Sequence, residues 1–470
     1  MLAVSSAPAL PDDPVSGYDR HVRQVEALRA QYAAIPPGAP VRLAKRTSNL
    51  FRQRAATSVP GLDVRAFDAV LSVDVEGRTA DVGGMTTYED LVAATLPYGL
   101  MPLVVPQLKT ITVGGAVTGL GIESTSFRNG LPHESVVEAE VLTGDGRIVV
   151  ATPGGEHDDL FRALPNSYGT LGYVLRLRIE LEPTKPYVSL RHVPFTGGAS
   201  VADAITEIAS SRQYQGSTVD FCDGTVFSPD EIYLTLGEFT DVAPYGVSDY
   251  TGRRIYYRSI YERHIDTLTV HDYLWRWDTD WFWCSGAFGV QNRFVRPLVP
   301  RRLLRSDTYW KVMAFEAKHH WWEKLERRRG LPARERVIQD IEVPVSQLDP
   351  YLRWFDREIG MRPVWLCPLT SRDPSRQWPL YEMDPGEPWV NVGFWGTVAL
   401  AGGQPDGHFN RLVEAEVERL GGRKSLYSSA FYAPEDFWRI YNGPAYDAVK
   451  KAYDPDGRLL DLYEKAVRAR

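Results

Sequence analysis

Four glycines fall within eight residues, at Gly114, Gly115, Gly119 and Gly121, inside a run that opens with Pro106 and closes with Ser126. Glycine has no Cβ, so backbone N–H groups in such a run can turn toward an anionic pyrophosphate and approach it closely. A nucleotide-type ligand is the implication, although glycines in tight turns would serve packing alone. The dinucleotide fingerprint GxGxxG is not met, because Ser124 stands where the third glycine belongs and no βαβ unit with a distal ribose-binding acid follows. A Walker A motif is also missing, so the chain must hold its phosphates in some other fold.

Length and charge narrow the field. With 470 residues the chain is long for one core, which predicts two domains. Hydrophobic residues at 44% and charged residues at 24% exclude a largely disordered or fibrous chain. A net charge of −7 argues against a dedicated nucleic-acid binder, whose affinity rests on clustered Lys and Arg. The three cysteines, Cys222, Cys284 and Cys367, lack CxxC spacing, so no zinc site or disulfide framework is expected and no metal is assigned. The N-terminus has no signal-peptide pattern and no run of apolar residues is long enough to span a bilayer, so a cytoplasmic location is expected.

Periodicity supplies the coarse architecture. A helix is predicted over Tyr18–Tyr32, and Ile35-Pro36-Pro37-Gly38 stops it. Strand signals follow from Val70, and Thr87 with Asp90 reads as the cap of a helix ending near Gly99. Residues 136–142 and 147–151 flank Asp145-Gly146, a turn pair that supplies the positive φ angles of a tight hairpin. Leu175, Leu177, Ile179 and Leu181 alternate with charged residues as a half-buried strand. Glu182 to Pro186 then reads as a domain boundary. Beyond it, Ser200 is a plausible N-cap for a helix carrying Val201, Ile205 and Ile208, and strands are expected around 231–236, 337–343 and 390–394. Near the C-terminus Pro434 opens a helix that Gly443 ends.

The order of these signals carries a resemblance. Thr-Val-Gly-Gly, then Gly-x-Gly-x-Glu-Ser, a hairpin, and Ser167 to Tyr173 before an alternating strand resemble the FAD-binding domain of the vanillyl-alcohol oxidase and p-cresol methylhydroxylase (PCMH) superfamily. The run GGAVTGLGIESTSFRNGLPHESV, with VIQDIEVPV, VWLCP and KKAYDP downstream, is most similar to its delta-24 sterol reductase branch, and resembles the bacterial FAD-dependent reductases that make tuberculostearic (10-methyl) fatty acids. The resemblance implies an α+β fold: a two-subdomain PCMH-type FAD domain over residues 1–186, a substrate cap over 187–440, and a segment over 441–470 that returns to the flavin domain. It further implies FAD bound from one side by Thr47, Ser48 and Asn49, and from the other by Pro106, Thr112, Val113, Gly114, Gly115, Thr118, Gly119, Gly121, Ile122, Glu123 and Ser124. Thr170, Gly172 and Val174 would lie beside the ring system, with Tyr427 and Lys451 closing the site. Family members that attach FAD covalently often use a histidine in the early loop, and none occurs in residues 41–60, so the flavin is expected to be noncovalent. His133 is the nearest alternative linkage point.

The implied reaction is reduction of an unactivated lipid double bond, with FAD supplying the hydride, NADPH supplying electrons, and the protein supplying a proton. Protonating a sterol side-chain alkene or a 10-methylene acyl chain gives a tertiary cation, which aromatic faces stabilise by roughly 0.5–2 kcal/mol each. Trp275, Trp277, Trp281 and Trp283 form a candidate wall, with alternate spacing that would present pairs on one face of a strand; the same residues would equally fill a core. Candidate proton donors are His271, Tyr257, Asp278, Asp280 and Asp340, where a carboxyl would need burial to stay protonated. Gln339, Asp340 and Asn391 resemble positions facing flavin or substrate, with a satisfied sheet residue as the alternative. Five arginines, Arg293, Arg296, Arg301, Arg302 and Arg305, sit among apolar residues directly after the tryptophans, a pattern fitting an anionic lipid surface, a solvated face or an interdomain ion-pair network. Expected partners are a fatty acyl lipid and the methyltransferase making its methylene precursor. An alcohol or sugar oxidase, or a noncatalytic lipid-binding protein, are the rival readings of the same domain.

Overall fold

A computed structural model describes residues 14–45, 51, 61–319, 332–405 and 407–468. The chain is α+β, built on two antiparallel sheets. The first is made of β1 (Val70–Asp74), β2 (Thr79–Gly83), β3 (Leu100–Pro102), β4 (Val136–Leu142), β5 (Ile148–Ala151) and β6 (Tyr173–Pro183), in the order β1-β2-β6-β4-β5 with β3 also on β6. Leu175, Leu177, Ile179 and Leu181 of β6 are all buried, while Arg176 and Arg178 on the other face pair with Asp81. Helix α1 (Pro14–Ala33) packs on β1, and α2 (Tyr88–Thr95) follows β2. Thr87 caps α2, its Oγ1 accepting from Asp90 N at 3.1 Å and donating to the Asp90 carboxylate at 2.6 Å. That reciprocal pair satisfies an N–H the first turn leaves orphaned. The glycine run itself forms a short helix, α3 (Val113–Gly119).

β6 ends at Pro183 and the second sheet begins after three intervening residues. It comprises β7 (Tyr187–Phe195), β8 (Phe221–Ser228), β9 (Glu231–Thr240), β10 (Ile265–Thr269), β11 (Arg334–Pro344), β12 (Val364–Leu369), β13 (Trp389–Ala399) and β14 (Arg423–Lys424), ordered β10-β7-β9-β8-β12-β13-β11-β14. Helices α4 (Gly198–Ser211), α6 (Leu348–Glu358) and α7 (His408–Arg419) cover one face, burying Val201, Ile205, Tyr351 and Val413 against Leu366, Val392 and Phe394. The separate α5 (Ser306–His319) lies on the other side. Strand alternation sorts β11: Val337, Gln339, Ile341 and Val343 are buried on the helix side, leaving Ile338, Asp340 and Glu342 for the opposite face.

The C-terminal helices α8 (Pro434–Ile440) and α9 (Gly443–Tyr453) return to the first sheet. Asp145 N donates to Tyr453 O, Lys450 Nζ to Thr170 O at 2.8 Å, and Lys465 Nζ to Tyr168 O at 2.6 Å. Three local expectations are corrected. Helix α4 starts at Gly198, with Ser200 inside it bonding back to Thr196 and Gly197 carbonyls. Gly443 opens α9 behind the Asn442 cap, so the glycine follows a turn and does not end a helix running on from Pro434. The tryptophan segment forms no strand: residues 270–274 are helical, and 3-10 turns follow at 278–280 and 284–288.

Candidate functional site

Between the two sheets lies a cavity of about 2240 Å³. That is more than twice the roughly 300–1,000 Å³ of a pocket for one drug-sized ligand, so a dinucleotide and a substrate fit together. One wall is the glycine run: Pro106, Thr112, Gly114, Gly115, Thr118, Gly119, Gly121 and Ile122 line it, joined by Gly172, Val174 and Tyr427. The wall is built by backbone approach. Gly114 N donates to Gly84 O at 3.0 Å, and a Cβ on Gly114 would stand 2.6 Å from that oxygen. Only glycine lets the two segments meet there.

The remaining residues assigned to the cofactor lie elsewhere. Val113 packs in the core and Thr170 is buried, its carbonyl engaged by Lys450. Lys451 is exposed, and its neighbour Lys450 lines the cavity instead, since one step along a helix turns the side chain by about 100°. Glu123 and Ser124 sit beneath the wall. Glu123 pairs with Arg276 at 3.1 Å, and Ser124 bonds the Tyr273 hydroxyl at 2.9 Å. Thr47, Ser48 and Asn49 fall outside the described residues. His133 does not line the cavity; it is buried edge-on to Trp378 with centroids 4.4 Å apart, and burial depresses its pKa to about 3.

The opposing wall is aromatic. Trp281 and Phe282 both adopt left-handed backbone angles, φ 46° and 60°. Such angles are rare for bulky residues, and here they turn the chain so that Trp281, Phe282 and Trp283 all line the cavity, which strand alternation would have prevented. Phe282 packs 4.4 Å from Trp395 and 5.5 Å from Trp365, and Trp283 lies 5.4 Å from Trp395, centroid to centroid. Trp275 and Trp277 are not part of this wall. Trp277 donates Nε1 to Asp223 at 3.2 Å, beside a fully buried Arg276 that pairs with Asp223 at 3.0 Å and lies 4.0 Å over the Tyr273 ring. Those two tryptophans are core, as one of the two sequence readings allowed. The wall's remaining members, Trp365 and Trp395, come from β12 and β13, distant in sequence.

Of the proposed acids, only Asp340 borders the cavity. His271 is exposed and turned to Asp272, and Tyr257 donates to Gln291 Oε1 at 2.7 Å. Asp278 accepts from Lys109 N and Ser306, while Asp280 is held by Arg296 at 2.6 Å. Gln339 points to the helix face and donates to Asn410. Asp340 projects from β11 opposite Gly393, and its Oδ1 is shut away with no hydrogen-bond partner, although the residue as a whole is only half-buried because it faces the cavity. Burial, then the like charge of Glu342, raises its pKa to about 8; the neighbouring Tyr427 hydroxyl and Asn391 amide oppose the rise. The Tyr427 hydroxyl accepts from Trp395 Nε1 at 2.9 Å, tying acid and aromatic wall together.

Glu342, which the sequence reading missed, sits two residues along on the same face. Its carboxylate accepts from Asn391 Nδ2 at 2.7 Å, from Ser425 Oγ at 3.3 Å and from the Tyr381 hydroxyl, and burial lifts its pKa to about 7. Asn391 therefore stands behind the cavity and not in it. The period-2 rule alone, applied to Gln339-Asp340-Ile341-Glu342, separates Gln339 from Asp340 and joins Asp340 to Glu342.

The wall fits FAD on two grounds: Gly114, Gly115, Gly119 and Gly121 line the cavity with bare backbone, and Arg42 is a cavity-lining cation whose Nε is buried with no partner and suits a diphosphate. Comparison with known proteins agrees. Residues 21–152 match the FAD binding domain family. The chain is an FAD-dependent oxidoreductase with a PCMH-type flavin domain. Within that class its similarity runs to the Delta(24)-sterol reductases. It is 27% identical to that of Mus musculus over 418 residues, 85% of this chain and 76% of the relative, and 26% identical to that of Arabidopsis thaliana over 450 residues, 87% and 77%. Cytokinin dehydrogenase 2 of Oryza sativa matches at 34% over 161 residues, 33% of this chain and 28% of that protein.

Proposed function

We propose that the chain reduces an unactivated carbon–carbon double bond in a lipid, with a 10-methylene fatty acyl chain as substrate and NADPH as electron donor. The observation that carries this reading is the placement of Asp340, a carboxyl with its Oδ1 buried and unpartnered and its pKa raised by burial, in an aromatic-walled cavity against the glycine wall. Thr112, Gly114, Thr118 and Gly119 would hold the FAD and Arg42 its diphosphate. Bound and reduced, FAD would supply a hydride, delivered to the tertiary carbon. Asp340 delivers the proton to the methylene carbon, placing the positive charge on the tertiary carbon. Phe282, Trp283, Trp365 and Trp395 then stabilise that charge by their ring faces and exclude water that would trap it as an alcohol. The Tyr427 hydroxyl and the Asn391 amide stand beside the Asp340 carboxyl, and the like charge of Glu342 favours its protonated form.

A sterol side-chain alkene is the second reading, favoured by the 27% identity to a Delta(24)-sterol reductase. An alcohol or sugar oxidase is disfavoured by the aromatic lining. The test is the anaerobic flavin spectrum. Bleaching of the band near ~450 nm by NADPH, with recovery on adding 10-methylene lipid, is the expected result. Recovery with desmosterol alone selects the sterol, and bleaching by an alcohol or sugar in place of NADPH overturns the reductase.

A further inference from the structure

The arginine-rich segment after the tryptophans divides into two parts with different duties. Arg296 is buried, clasping Asp280 at 2.6 and 2.9 Å and the Gly252 carbonyl at 2.8 Å. Arg305 clamps Glu89 of α2 through two bonds of 3.0 and 2.8 Å, joining the cap to the flavin domain. These two arginines are structural. Arg293, Arg301 and Arg302 are exposed, and Arg253 joins them through the turn on which Arg301 rests, where a Cβ on Gly252 would stand 3.0 Å from Arg301 Nε. Arg301 meets one carboxylate, Asp249 at 3.4 Å; both side chains are at least half exposed, so the pair is weak and screened.

Large apolar side chains stand among these charges. Phe294 is 69% exposed and Leu298 82%, with Arg293 lying 4.6 Å over the Phe294 ring. Leu303 and Val312 are 44% and 47% exposed, and both also line the cavity. The patch is thus continuous with the cavity mouth. Exposed aromatic and leucine side chains among arginines, on a protein of net charge −7, match an anionic bilayer: the rings and methyls enter the acyl boundary while the guanidinium groups meet headgroup phosphates.

We propose that the face formed by residues 293–303 and 312 docks this protein on an anionic lipid bilayer, with the cavity mouth opening onto the acyl chains. The docking is independent of the reductase reading; passage of an acyl chain from bilayer to cavity past Leu303 and Val312 rests on it. The test is partition of the holoenzyme onto phosphatidylcholine vesicles with and without phosphatidylserine. Binding requires phosphatidylserine and weakens with salt. At about fivefold per arginine, the combined Arg293→Ser, Arg301→Ser, Arg302→Ser variant binds roughly a hundredfold more weakly. The Phe294→Ser, Leu298→Ser variant weakens binding at unchanged charge. None of these residues lines the cavity, so both variants retain wild-type turnover of a short, water-soluble alkene. Equal partition of wild type and the arginine variant, or no partition of wild type onto phosphatidylserine vesicles, overturns the docking surface. Vesicle binding without alkene turnover in any form leaves the docking standing and removes the reductase reading.

Discussion

Replacing Asp340 with asparagine removes the proton donor while keeping the shape of the side chain. With its pKa raised to about 8, the carboxyl is mostly protonated at pH 7. A positioned general acid contributes about 10²–10⁴ in rate, so Asp340→Asn lowers alkene-dependent turnover by that factor. Wild-type turnover falls tenfold per pH unit above about 8 as the acid ionises, and the variant lacks this limb. Stability moves the other way. An acid whose folded pKa lies above its unfolded value of 3.8 is favoured at low pH, and its contribution to folding is lost as pH rises from there toward the folded pKa. At pH 7 that loss is at most about 4 kcal/mol, at ~1.4 kcal/mol per unit, and smaller where water fills the cavity. Asparagine never ionises, so the variant melts at a higher temperature than wild type at pH 7 and 8, and the gap closes toward pH 4. Pre-steady-state product formation across pH 5.5–9.5, paired with thermal melts, tests both halves. Turnover within tenfold of wild type with an unchanged alkaline limb refutes the assignment of Asp340 as the acid.

Three further outcomes follow from neighbouring geometry. Gly393→Ala puts a methyl against the Asp340 carboxyl and 2.8 Å from the Trp395 ring, so kcat falls about tenfold or more while the flavin stays bound; unchanged kcat contradicts the placement. Trp283→Leu removes a cavity face and costs about 1–2 kcal/mol of cation stabilisation, near tenfold in turnover, whereas Trp275→Leu leaves turnover unaltered and lowers the melting temperature; steady-state kinetics beside melting curves separate the two. Arg276→Met strands Glu123 and Asp223 as buried carboxylates without their cation, destabilising by about 3–5 kcal/mol in urea unfolding, and a loss under 1 kcal/mol would show that the pair is not needed.

The glycine run by itself announces a ligand class, because backbone approach requires the absence of a Cβ and leaves that mark in composition. Hairpins and alternating strands are legible for a similar reason: Asp145-Gly146 and the period-2 pattern of β6 are local devices. The site's chemistry is less so. Asp340 is one of five candidate acids in the sequence, and what distinguishes it is facing the cavity beside Glu342 of its own strand and beside Tyr427 and Asn391, which arrive from two separate stretches of chain. The tryptophans show the same division. Sequence groups Trp275, Trp277, Trp281 and Trp283 by proximity, but left-handed angles at Trp281 and Phe282 send only the last two to the cavity, where Trp365 and Trp395 meet them across the sheet. Local backbone preference and side-chain period are written within a few residues of where they act. Burial, and with it the protonation of a carboxyl, depends on what long-range packing brings alongside, and for this protein only the tertiary structure decided that.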